Sequence, residues 1–313
     1  MLSRLLRRLL LGQILLGAVL GWFIAGPAGS SLALLVAGAS LLPLLFLVLI
    51  SATSVFLSRA PGSPAPWWRL VGGEFRAMVH IFLLQQPWTT AAPTLEPANP
   101  GGDPATQGRT PVLLVHGFLC NHRVWNAMAR RLRSAGHPVL RLDLEPLFQS
   151  IDSYAPRIEE AVLQLCTQTG AIKVALVGHS MGGLAIRAWL RRYGTARAAT
   201  VITLGTPHAG TRIARRPRSA NGEQMHWNSD WLQQLAASES PASRSLMRIA
   251  LTPHDNIVFP QREQVLEGAG VAVFDGLGHL QLCLDSTVAA WVLRQLSDPT
   301  LASPQANLPP SQP

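Results

Sequence analysis

The stretch ALVGHSMGGLAIR, Ala175 to Arg187, sets Ser180 between Gly178 and Gly182, with Gly183 directly behind. The apolar run KVALV before it reads as a buried strand, and MGGLAIRAWLRRY after it reads as a helix. A serine at so tight a strand-to-helix corner sits in a strained backbone conformation. Its neighbours must lack side chains for the strand and helix to approach each other. This is the G-x-S-x-G nucleophile elbow in the context that motif needs. A Gly-rich turn that happens to contain a serine is the plain alternative, so the rest of the chain must supply partners.

Outward from the elbow, short apolar runs alternate with helical segments. The runs are PVLLVHG, PVLRLDL, IKVALVG, ATVITLG, LMRIALT and VAVFDGL. The helices between and after them are expected near 124–134, 154–166, 184–192 and 284–296. Runs apolar on both faces, separated by amphipathic helices, predict an α/β fold: a mostly parallel sheet flanked by helices. No internal repeat is visible.

An acyl-transfer serine needs a base, an orienter for that base, and donors for the oxyanion. With an elbow of this kind the chain order is Ser, then acid, then His, each at the carboxyl end of a later strand. Histidines 208, 226, 254 and 279 follow Ser180, and only His279 comes after the last run, on a flexible GLG approach. Asp255 stands directly after LMRIAL, one strand before His279, where a carboxylate can hold the imidazole. Asp275, four residues before His279, is the competitor, on a strand end poorly placed to orient it. His254 reads as a neighbour of the acid. The oxyanion hole needs two convergent backbone N–H groups. Met181, the residue after the nucleophile, supplies one; Phe118, after His116-Gly117 in VLLVHGFLCN, is the expected second.

The ordered set VHGFLCN, GHSMGG, TLGTPHAGT and the Asp255…Gly278-His279 pair resembles the α/β-hydrolase superfamily, in particular bacterial serine lipases and esterases. The resemblance covers 110–296. It implies the α/β-hydrolase fold and hydrolysis of carboxylic esters of lipid-like substrates without a cofactor. Some secreted members carry a structural calcium, and no paired-aspartate site for one is evident here. The same triad would serve a thioesterase or an acyltransferase, and a catalytically silent fold used as a membrane binding module is the rival from another class. An insertion at 208–244 carries Arg212, Arg215, Arg216 and Arg218, then Trp227, Trp231, Leu232 and Leu235. In the family this region covers the acyl pocket, and the pattern suits a cap meeting anionic headgroups or an ordinary packed loop and helix.

The remaining chain departs from the secreted type. No charged residue occurs from Leu9 to Ser58. One straight helix of that length would be about 75 Å long, against a bilayer core of roughly 30 Å. GPAGSS, residues 26–31, reads as a turn, so a hairpin with spans near 9–25 and 32–57 is expected within 1–58. A cleaved signal peptide is the rival, since Arg4, Arg7 and Arg8 precede the apolar core, but it would leave the second run as an anchor. The segment 59–109 reads as a Pro-rich linker carrying a helix over 66–86 that lies on the membrane or packs on the following domain. The catalytic domain is placed at 110–297 and a disordered tail at 298–313.

A net charge of +9 rests almost wholly on scattered arginines, with Lys173 the only lysine, and no nucleic-acid-binding motif accompanies it. The three cysteines, Cys120, Cys166 and Cys283, match neither a metal nor a disulfide spacing and read as buried free thiols in a reducing compartment. Arginines flank both ends of the hairpin while its turn is uncharged. The positive-inside rule then places both flanks in the cytoplasm, at a bacterial inner membrane, where the enzyme would meet lipid or acyl-ester substrates.

Overall fold

Six short strands share one sheet: β1 Val112–Val115, β2 Val139–Leu142, β3 Val174–His179, β4 Ala198–Leu204, β5 Met247–Leu251 and β6 Gly270–Val273. They come from a computed structural model that describes residues 1–25, 32–59, 66–89, 92–99, 109–214 and 219–297. The expected turn at 26–31, much of both Pro-rich stretches, Arg215, Arg216 and Arg218, and the tail at 298–313 lie outside the described residues. Every strand pairing is parallel, in the order β2-β1-β3-β4-β5-β6. Each of the six apolar runs forms one strand; β1, β3 and β5 are buried on both faces and cannot alternate apolar with polar, while the edge strands β2 and β6 are partly or wholly half-buried.

Side chains alternate across the sheet and split the core in two. Leu113, Val115 and Leu176 face α5 (Ala155–Thr169) and α6 (Met181–Tyr193). Val112, Leu114 and Val177 face α4 (Asn126–Ser134) and α10 (Ser286–Ser297). All strand carboxyl ends lie along one edge, where open α/β sheets place their sites.

Two apolar helices precede this unit, α1 Leu2–Ala25 and α2 Leu32–Ser58. Mean hydropathies of 1.5 and 2.7 over their best windows make both long and apolar enough to cross a membrane. They pack closely: a Cβ on Gly17 would fall 2.1 Å from the Gly38 carbonyl oxygen. The end of α2 is less lipid-like, with Ser51, Ser54, Val55 and Ser58 buried.

Helix α3, Trp67–Met78, follows and runs on as a π-helical segment Val79–Gln85. It packs on the sheet unit through Ala77, Met78 and Ile81, with Leu70 also buried, while Trp67 and Trp68 stay exposed. Of the two expectations for 66–86, packing on the following domain describes its buried face. In the insertion, α7 (Ala220–Gln224), α8 (Asp230–Ala237) and α9 (Pro241–Ser245) form a short helical cover. Leu232 and Leu235 of α8 point inward and Trp231 donates its indole N–H to Asp152 at 2.8 Å, so this stripe packs on the protein. Among the cysteines, Cys120 and Cys283 are buried, but Cys166 is only half-buried, contrary to expectation.

Candidate active site

Strand β3 ends at His179, and α6 begins at Met181, leaving Ser180 alone at the corner with φ 54° and ψ −128°. A non-glycine residue in this region stores on the order of 1–3 kcal/mol of strain. The surrounding glycines make the corner sterically feasible. A Cβ at Gly178 would come 2.6 Å from the Gly183 nitrogen, and one at Gly182 would come 2.2 Å from the Val115 carbonyl oxygen. The Ser180 N–H is held by the Leu204 carbonyl at 2.9 Å, pinning the corner to β4.

Asp255 and His279 leave the carboxyl ends of β5 and β6 and meet: His279 Nδ1 lies 2.8 Å from Asp255 Oδ2. Both are buried, at 4% and 3% exposure. Asp255 Oδ1 accepts the N–H groups of Ile257 (2.9 Å) and Val258 (2.7 Å), which fixes the carboxylate plane. Since a carboxylate only accepts, Nδ1 carries the proton, and Nε2 is left as the basic nitrogen. Burial alone would lower the His279 pKa, but the charge and hydrogen bond of Asp255, and then the charge of Glu74, raise it. Asp275 lies elsewhere, its side chain 77% exposed and 3.1 Å from His254 Nδ1. His208 is engaged by Thr203 (3.0 Å) and Arg187, and His226 is exposed.

His116 Nδ1–H donates to the Gly117 carbonyl at 2.8 Å, and its Nε2 accepts the Leu144 N–H at 3.0 Å. This fixes the Gly117–Phe118 peptide, whose N–H lies antiparallel to that carbonyl. Among the described residues, neither the Phe118 nor the Met181 N–H is taken by another backbone carbonyl. Ser180 opens onto a cavity of about 480 Å³ lined mainly by apolar side chains, among them Phe118, Ile213, Met225, Ile257 and Val258. The insertion contributes its far wall. A chain of this polarity suits an acyl group, and the elbow at its floor suits attack on the attached carbonyl.

Three residues around His279 escape a reading of motifs. His179, inside GHSMGG, is buried and neutral, since burial and then the charge of His279 push its pKa well down. Its Nε2–H donates to the His279 carbonyl at 3.1 Å. Asn256 Oδ1 accepts the His279 N–H at 2.9 Å. Glu74, on α3, accepts the Leu280 N–H at 2.9 Å. Only Glu74 had a signal: it shares the helical face of Leu70, Ala77 and Ile81, an acid set among apolar positions.

A family model described as the alpha/beta hydrolase fold matches residues 110–246. A protein named triacylglycerol lipase from Burkholderia plantarii is 36% identical over 127 residues, covering 38% of this chain and 35% of that protein. Another of the same name from Pseudarthrobacter phenanthrenivorans is 37% identical over 115 residues, covering 34% and 35%. The chain thus spans about a third of the length of these relatives. Among solved structures, the Bacillus licheniformis lipase BlEst2 in its propeptide form superposes with a TM-score of 0.59 at 17% identity, covering 69% of this chain and 56% of that one. Its mature form gives 0.56, covering 66% and 99%. At that identity the likeness concerns the fold alone. The chain has the α/β-hydrolase fold, and over roughly a third of its length it is similar to proteins named triacylglycerol lipase.

Proposed function

We propose that this chain is a membrane-anchored serine hydrolase that cleaves carboxylic esters of lipid-like substrates. Ser180 attacks the ester carbonyl while His279 Nε2 takes its proton. Asp255 holds the imidazole in the productive tautomer and stabilises its charged form, and the Phe118 and Met181 amides receive the oxyanion. His279 then protonates the departing alkoxide, and water, activated by the same imidazole, releases the acyl group from Ser180. The observation that carries the reading is the strained Ser180 corner, at the floor of an apolar cavity and on the same sheet edge as the Asp255–His279 pair. The similarity to proteins named triacylglycerol lipase supports lipid-like esters as the substrate class. The hairpin at 1–58 serves as the anchor and 110–297 as the catalytic domain, facing the cytoplasm of a bacterial inner membrane.

A fluorophosphonate probe and an acyl-length series of nitrophenyl esters test this. Wild type should be labelled and should hydrolyse the series, while Ser180→Ala loses both and keeps its thermal transition. Wild-type turnover in Ser180→Ala would overturn the reading.

A further inference from the structure

We infer that Glu74 is a positioning residue for His279, by which the helix after the hairpin sets both the aim and the charge of the imidazole. This rests on the reading of His279 as general base. Glu74 is completely buried. Its Oε1 and Oε2 accept the Leu280 N–H at 2.9 and 3.2 Å, directly after the histidine. Directly before the histidine, a Cβ on Gly278 would lie 2.4 Å from Glu74 Oε2, so the carboxylate occupies the space a side chain would need. The backbone on both sides of His279 is thus moulded against one carboxylate. A second strut comes from α2. Asn256, which receives the His279 N–H, donates its Nδ2–H to Ser54 Oγ at 2.8 Å. Gln261 Nε2 donates to the carbonyls of Ser58 and Asp255, each at 2.9 Å.

Shape alone does not require a carboxylate here, since an amide would fill the same space. Burial pushes the Glu74 pKa up to about 7, with Asp255 adding to the rise and the Leu280 N–H and His279 opposing it. Among described residues its ionisable neighbours are His279, Asp255 and Cys283. Cys283 stays a thiol, its pKa pushed well up by burial. His179, with its ring centroid 4.5 Å from that of His279, stays neutral. Arg69 and Arg76, on Glu74's own helix, are exposed. Glu74 and Asp255 are therefore the two carboxylates that act on one imidazole. When His279 takes the serine proton, both favour the imidazolium, and the pair Glu74–His279 titrates as a unit.

The test uses the full chain in detergent micelles, with kcat, KM and the rate of fluorophosphonate labelling followed from pH 5 to 9. Glu74→Gln keeps an acceptor for the Leu280 N–H and removes the charge. The acid limb should move to lower pH by about half to one unit, because the imidazolium loses a stabilising charge. The plateau kcat should fall about 3- to 10-fold with KM unchanged. Glu74→Asp keeps the charge but draws it back by one methylene, and should move the limb part of the way. If Glu74→Gln loses its cooperative thermal transition, the Asp variant decides alone. An unmoved limb in the deciding variant, with wild type still labelled, overturns this inference only. Wild type that takes no label, or Ser180→Ala labelled as fast as wild type, overturns the underlying function.

Discussion

Both oxygens of Asp255 are committed, one to His279 Nδ1 and the other to two backbone N–H groups. Asp255→Asn keeps the shape but offers a donor where the imidazole needs an acceptor, so the wrong tautomer prevails. The kcat should drop by as much as about 10⁴-fold, the size of that effect in the best-studied triad. Asp275 makes only an exposed contact with His254, worth at most about 1 kcal/mol. Asp275→Asn should leave kcat within about a factor of five, and steady-state kinetics on one ester separates the two acids. Glu74 makes a prediction about stability as well. Its folded pKa of about 7 lies above the ordinary 4.5, so the native state holds the proton more tightly than the unfolded chain. The sign follows: its contribution is complete below about pH 4.5 and is lost as pH rises through 7, a change of about 3 kcal/mol. Glu74→Gln has no such loss, so its apparent Tm should exceed that of wild type at pH 8 and converge with it near pH 5. A slower variant that melts higher is the pattern expected of a group held for function.

The strands and helices of the sheet unit were legible because their signals are local. An apolar run of five or six residues must be covered on both sides, and a helix carries its own period. The elbow was legible for the same reason, since all its steric demands fall within six residues. The expected acid and base came from chain order along parallel strands, which forces each strand end onto one edge. Helix α3 shows where this stops. Its period gives an apolar face, but nothing in 67–78 says that the face meets Leu280 rather than lipid. Contacts such as Glu74 to Leu280 or Ser54 to Asn256 span some two hundred positions and leave no local trace. The cover over the cavity is likewise held from afar: Arg187 of α6, fully buried, pairs with Glu239 at 2.5 Å, and Arg244 joins the same carboxylate at 2.5 Å. Glu239→Ala would leave a buried guanidinium without its carboxylate, at a cost of about 3–5 kcal/mol. Its apparent Tm should fall accordingly, and the cavity wall that Gly222 and Met225 supply should loosen before the sheet does.

At the scale of the molecule, the hairpin and the sheet unit are joined by more than a linker. The buried end of α2 touches the loop that carries Asp255, and α3 touches the one that carries His279. With Arg4, Arg7 and Arg8 before α1 and Arg59, Arg69 and Arg76 after α2, the proposed cytoplasmic placement gives a direct test. A fluorescent protein fused to the C-terminus should glow and an alkaline phosphatase fused there should be inactive; the opposite pair of results would put the enzyme outside. The bonds from Ser54 and Glu74 also have a meaning in time. During synthesis α2 and α3 leave the ribosome first, and His279 follows more than two hundred residues later. At about 5–20 residues per second that is a delay on the order of 10–40 s. The imidazole therefore emerges after the residues that seat it. On the proposed reading a newly made chain gains its base only after the residues that seat it have been translated, so activity arises late in synthesis.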